Sequence, residues 1–343
     1  MTQRLDTSAS RPPGPDGDSP DGDGPDGGPA PQMRPGLWKR CLWGGLALWL
    51  LTAVITYATK NTNLLPTLIL LGSFLVPAVF VLWAYERDGR DLGLGVLLNC
   101  FIVGGVLGVL GASVMEYYLL HPSLWIFLGV GLIEEAVKLV ALMLVLRRFR
   151  RIRGLRAGLV LGAAVGFGFA AFESSGYAFN AAVTMRGLDL RSLLETEILR
   201  GLLAPFGHGL WTAIAGGVLL KFREPGGRFR FTGPVIATYL GVSLLHALWD
   251  SMHGIAIWLV ARITSTGLDP ALFAQGYIPT PTEQQKHLFT LFSDGGLVLV
   301  SLAGIGWLLS LSRSVRGGGG GSGSGGARGR GRRPTYASGP PPG

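Results

Sequence analysis

Charge is what this sequence has least of. Asp, Glu, Lys and Arg make up 15% of its 343 residues, against about 25% in soluble domains. Mean hydropathy is +0.40, so an ordinary water-soluble globular enzyme is excluded. Cysteine is scarce as well: Cys41 and Cys100 are the only two, which excludes a disulfide framework and a Cys-rich zinc module. His-Glu-x-x-His and Gly-x-Ser-x-Gly do not occur, so the zincin and serine-hydrolase templates are absent. No apolar h-region opens the chain, and nothing there reads as a signal peptide.

Long apolar runs take the place of charge. Eight recur, over about 41–59, 64–84, 92–115, 123–146, 157–182, 197–221, 233–261 and 289–312, most of them near the 20 residues a helix needs to cross a hydrocarbon core. The fold class expected is an all-α, polytopic membrane helix bundle of eight spans over residues 37–313. Residues 1–36, rich in Pro, Gly and Asp, and residues 314–343, rich in Gly, Arg and Pro, cannot bury enough apolar surface to fold and read as disordered tails. Small residues at four-residue spacing, Gly104/Gly108 and Gly158/Gly162/Gly166, suit close helix approach.

The net charge of +9 does not point to nucleic acid, because many of the basic residues sit between the runs or flank them. The N-terminal flank, the loops after runs two, four and six, and the C-terminal flank hold seventeen of them, among them Arg147, Arg148, Arg150, Arg151, Lys221 and Arg223. The alternate loops hold five: Lys60, Arg186, Arg191, Arg262 and Lys286. The positive-inside bias orients both termini to the cytoplasm, and the expected location is the plasma membrane.

Ionisable residues inside the runs carry the chemistry. The fourth run holds Glu134, Glu135 and Lys138 near its centre. Three central charges cost roughly 8–10 kcal/mol on an insertion scale, and the run's apolar residues return about 4–8. The charges must therefore face the bundle interior and pair; Lys138 reaches Glu134 at i−4 and Glu135 at i−3. The fifth run puts Glu173, Tyr177 and Asn180 on one face. The sixth carries His208 and Trp211 just after Pro205, which can open the backbone to water. The seventh carries His246 and, one turn on, Asp250, with His253 beyond. Glu134, Glu173, His208 and His246 fall within a few Å of one depth at about 1.5 Å per residue. Glu116 and His121 read as interfacial.

Two adjacent carboxylates in a dry site repel, so one is expected to hold its proton, giving a base beside an acid. The histidines offer metal ligands or donors to an oxyanion. A water held by Glu134, His208 and His246 can attack a peptide carbonyl. The same residues also suit a proton relay in a transporter, although paired broken helices and inverted repeats are not evident, or a catalytically inactive scaffold locked by an ion triad.

The ordered set Glu134-Glu135-x-x-Lys138, Phe172-Glu173 with Tyr177, His208-x-x-Trp211 and His246-x-x-x-Asp250 resembles the PrsW family of intramembrane proteases, relatives of the CAAX prenyl proteases. That resemblance implies an endopeptidase cutting membrane-anchored proteins, such as anti-sigma-factor-type regulators, within the bilayer. It implies Glu134 as the base, Glu135 as its partner, His208 as an assisting group, and His246 with Asp250 on the oxyanion side. Lys138, Glu173, Tyr177 and Trp211 are the supporting residues. Asp250 stands where the prenyl proteases have Asn, and an ionised Asp cannot donate to an oxyanion; it is protonated or it orients His246. The cofactor is none or zinc, with Glu134, His208 and His246 as the candidate ligands, and the metal-independent reading is the one taken forward.

Overall fold

Apolar composition leaves the backbone no water to bond with, so nearly every ordered segment closes its hydrogen bonds as helix. A computed structural model describes residues 36–89, 91–123, 125–184, 187–264 and 280–318. Both expected tails lie outside the described residues almost entirely, as do Arg90 and Arg186. The helices are α1 (Leu37–Thr59), α2 (Leu65–Ala84), α3 (Leu94–Leu119), α4 (Ile126–Leu146), α5 (Leu155–Ala182), α6 (Leu190–Leu203), α7 (His208–Lys221), α8 (Gly233–Ile263) and α9 (Glu283–Gly318). A two-residue antiparallel pair, Val183–Thr184 with Gly187–Leu188, is the only sheet among the described residues.

Among the described residues, seven stretches are long and apolar enough to cross a membrane, with α6 and α7 together forming one of them. The eighth expected helix, α4, has 21 residues, which is length enough to span, and carries the three central charges. The sixth run differs from expectation in two ways. It begins at Leu190, where Asp189 caps it; bonds from the Ser192 backbone N–H and hydroxyl hold that carboxyl below the usual carboxylate range. It also breaks at a 3₁₀ turn, Ala204–Phe206, because Pro205 has no N–H to donate and the glycine after it adopts a non-helical backbone.

The burial gradient identifies the centre. The apolar window of α5 is 78% buried and that of α1 only 11%, so α5 is the axis and α1 faces outward. Glycine makes α5 an axis. A methyl group at Gly158, Gly162 or Gly166 would run into a backbone carbonyl of α7, those of Gly216, Thr212 and His208 in turn. The stripe thus seats α7 directly on α5 and sets the height of His208. A methyl at Gly131 of α4 would similarly strike the Ser243 carbonyl of α8, which brings Glu134 and Glu135 beside His246.

Loop contacts fix which ends lie together. Arg223, after α7, is buried, and its guanidinium donates to the carbonyls of Leu146, Phe149 and Ile152. The basic α4–α5 and α7–α8 loops therefore share one end of the bundle. Glu86, after α2, accepts from the Gly36 and Trp38 amides at the start of α1. Alternating helix direction follows for both pairs. At α6, the carboxylate of Glu197 accepts the Trp49 indole N–H at 2.7 Å, tying the broken span to α1.

Candidate active site

Lys138 is the hub. Its side chain is wholly buried, and its ammonium lies 3.0 Å from Glu134 Oε2, 2.9 Å from Glu135 Oε1 and 2.8 Å from His208 Nδ1. The Phe169 ring closes the remaining side, with its centroid 4.0 Å from Nζ. The i−4 and i−3 spacing on α4 delivers both carboxylates, and the glycine-seated α7 delivers the histidine. The two carboxylates are held apart, each by its own bond to the ammonium.

An ammonium only donates, so His208 Nδ1 accepts from it and the ring's proton belongs on Nε2. That nitrogen faces Glu173 Oε2 at 3.0 Å. Glu173 is bound in turn by Arg200 of α6 through Nη2; Arg200 also donates to Ser174 Oγ at 2.8 Å and stacks on the Tyr177 ring at 4.1 Å. His246, 1% exposed, has carboxylates at both nitrogens. Glu135 Oε1 is 3.1 Å from Nδ1, while Asp250 Oδ2 and Glu134 Oε2 are 3.3 Å and 3.6 Å from Nε2. Trp211, fully buried, lies against the His246 ring, centroids 4.8 Å apart. Thr212 adds a hydroxyl bond to Glu135 Oε2 at 3.3 Å.

The five residues expected to be catalytic and the four expected to support them thus lie in one network or its wall. Asn180 does not; it is exposed. His253 stacks on Phe289 instead. Three participants escaped the sequence reading: Arg200, Thr212 and Phe169. Arg200 carried a usable signal, an arginine within an apolar run.

A cavity of about 370 Å³ opens onto the cluster, lined by Ser113 and Glu116 of α3, Glu134 of α4, Phe169, Glu173 and Tyr177 of α5, and Asp250 of α8. Glu116 lines the same cavity as Glu134. Glu135, His246 and Lys138 do not line it. A larger apolar groove, about 1010 Å³, runs between α1 and α6 and touches none of the cluster.

A buried carboxylate-histidine network at the floor of a polar cavity, inside a helical membrane bundle, is the setting for hydrolysis within the bilayer. A family model described as PrsW family intramembrane metalloprotease matches residues 93–274, just over half of the chain, and the match includes every residue of the network. The chain belongs to the PrsW family. This PrsW protein is accordingly a multi-pass membrane peptidase. Neither the curated proteins nor the solved structures gave a match.

The family description raises the question of a metal. Glu134, His208 and His246 each present one donor atom, all within 4.8 Å of one another, and one carboxylate with two imidazoles is an acceptable zinc set. Bonds of about 2.1 Å in a tetrahedron place donors roughly 3.4 Å apart. The observed 3.6 Å and 3.8 Å from Glu134 Oε2 to His246 Nε2 and His208 Nδ1 are near that value.

The spacing suits a metal, but the lone pairs do not. His208 Nδ1 is occupied by the Lys138 ammonium and Nε2 carries the proton shared with Glu173, so neither nitrogen is free to ligate. A dication about 2.1 Å from Glu134 Oε2 and His208 Nδ1 would lie within roughly 3 Å of Lys138 Nζ. That is a repulsion on the order of 10 kcal/mol even at an effective dielectric of ~20. With Lys138 where it is, the trio does not fit a metal.

Proposed function

We propose that this PrsW protein is an intramembrane endopeptidase in which Glu134 activates a water against a peptide carbonyl of a membrane-anchored protein. The observation that carries the reading is the contrast within the glutamate pair. Glu134 lines the cavity, whereas its neighbour Glu135 has no exposed surface. A water bound in the cavity against Glu134 gives its proton to the carboxylate as its oxygen attacks the carbonyl carbon. The resulting oxyanion displaces the cavity-lining Asp250 from His246 Nε2–H, the edge of the ring that faces Asp250 and Glu134, while Glu135 aims the ring from behind through Nδ1. Glu134 then passes the proton to the departing amine as the C–N bond breaks.

Lys138 bonds both carboxylates, offsets part of their charge and fixes them. His208 steadies Lys138 from the opposite side, while Glu173 and Arg200 hold His208 in the required tautomer. Asp250 shares the Nε2 side of His246 with Glu134, where it is placed to hold the N–H until the oxyanion replaces it. Tyr177 walls the cavity and Trp211 braces the His246 ring.

The substrate class, single-span regulators of the anti-sigma-factor type, follows the family and not any one side chain. The catalytic bundle comprises residues 37–313, and the charge asymmetry of the loops supports cytoplasmic termini in the plasma membrane. The test is cleavage of a candidate single-span substrate in liposomes at matched protein level. Glu134→Gln loses at least about 100-fold in rate, the scale of a general base. Full activity would remove Glu134 from the chemistry. Membrane proteomics of wild type against Glu134→Gln, searched for shortened single-span proteins, identifies the substrate.

A further inference from the structure

We infer that Lys138 is an internal cation standing where a divalent transition metal would sit, so that Glu134, His208 and His246 form a metal site kept shut by the chain's own ammonium. Three observations converge. The donor set has the composition and the spacing of a zinc site. The ammonium is bonded to two of the three donor atoms, Glu134 Oε2 and His208 Nδ1, at 3.0 Å and 2.8 Å. And it has no route out: Lys138 has no exposed surface, is held by Glu135 at 2.9 Å, and lies over the Phe169 ring. A lysine at a surface site could swing aside for a metal. This one would leave two buried carboxylates behind without their counter-charge.

Removing the ammonium does two things together. It frees the His208 Nδ1 lone pair, and it leaves Glu134 and Glu135 with a charge deficit that a dication restores. The metal class follows from the donors: two imidazoles and one carboxylate select Zn²⁺ or Co²⁺ over Mg²⁺ and Ca²⁺, which prefer all-oxygen shells. The site is thus one substitution away from metal binding, and the wild-type protein is expected to be indifferent to chelators.

The experiment measures metal, not cleavage, so its outcome is independent of which group activates water. Full-length protein in detergent is loaded with Zn²⁺ or Co²⁺, desalted, and assayed for metal content and for the visible absorption of tetrahedral Co²⁺. Wild type and Lys138→Arg, which keeps the charge, are expected to retain neither metal. Lys138→Met is expected to retain one ion per chain, with an affinity about 100-fold or more above wild type, and to lose it when His246→Ala is added.

The neutral variant is also expected to melt higher with Zn²⁺ than without, while wild type does not shift. Lys138→Gln, which retains a donor amide, serves if the Met variant does not fold. One tightly held zinc per wild-type chain, lost in His246→Ala, would overturn the inference. So would folded Met and Gln variants that bind no more Co²⁺ than wild type. Should neither neutral variant fold, wild-type loading decides alone: retained metal refutes the closed site and metal-free protein upholds it.

Discussion

Glu134 and Glu135 are neighbours in sequence and share Lys138, yet they belong to different walls of one buried site. Successive helical residues point about 100° apart, so one carboxylate faces the cavity and the other faces α8. Glu134 keeps a small accessible surface beside Glu173, Tyr177 and Asp250. Glu135 is sealed, and each of its oxygens is spoken for: Oε1 by Lys138 and His246, Oε2 by Thr212. The open wall has room for a water and a peptide. The sealed wall is held by buried hydrogen bonds to a charged group, where low dielectric makes each bond strong and each missing partner costly. Two identical side chains are thereby given different work, one chemical and one positional.

Substitution separates the two. Glu135→Gln is expected to show the largest combined effect, because it strips His246 and Lys138 of a fully buried counter-charge. Losing one partner of such a group costs about 3–5 kcal/mol, so the melting temperature falls and cleavage drops with it. Glu134→Gln loses cleavage while melting much nearer wild type, since its carboxylate borders the cavity and water can compensate part of the change. Thermal melts in detergent beside the liposome cleavage assay separate the two. If both variants melt alike, the division into open and sealed walls is wrong.

Arg200→Gln comes next. Arg200 does not itself line the cavity; it acts through Glu173 on His208. Removing it is expected to cut kcat about 10- to 100-fold, the scale of a lost orienting partner, with KM for the substrate nearly unchanged. Arg200→Lys restores part of the rate by returning the charge without the forked geometry. Equal losses in the Gln and Lys variants, or an effect confined to KM, would detach Arg200 from His208.

Much of this was legible before any coordinates. The spans, the all-α class and the clustering of ionisable groups at one depth follow from the cost of charge in hydrocarbon, which leaves an inserted helix no choice but to pair its charges inside. Pro205 marked the break in the sixth run. What stayed hidden depends on packing between helices. The i,i+4 spacing of His246 and Asp250 suggested that Asp250 orients the ring. Which nitrogen each carboxylate meets is set by Gly131 letting α4 close on α8, and that contact gives Nδ1 to Glu135 and Nε2 to Asp250. Arg200 goes unnoticed among Ile198, Leu199 and Leu202 because its role comes only from α6 lying beside α5, where it meets Glu173 and Ser174. That Glu116 shares a cavity with Glu134 depends on how α3 packs beside α4, which the sequence does not state.

The smallest effect tests the finest point of the comparison. Asp250 is partly exposed and lies on the cavity side of His246, 3.3 Å from Nε2, so it belongs to the open wall. The aim of the imidazole does not depend on it, because Glu135 and the Trp211 ring fix His246 from behind. Asp250→Asn preserves shape and leaves the amide oxygen able to accept from Nε2–H. The expected change in kcat is therefore less than about tenfold, with no fall in melting temperature of the size produced by Glu135→Gln. A loss as severe as that of Glu134→Gln would make Asp250 a proton carrier in its own right. A gain in rate would mean that its negative charge opposes the oxyanion, and that the amide donor of the Asn variant serves the transition state better.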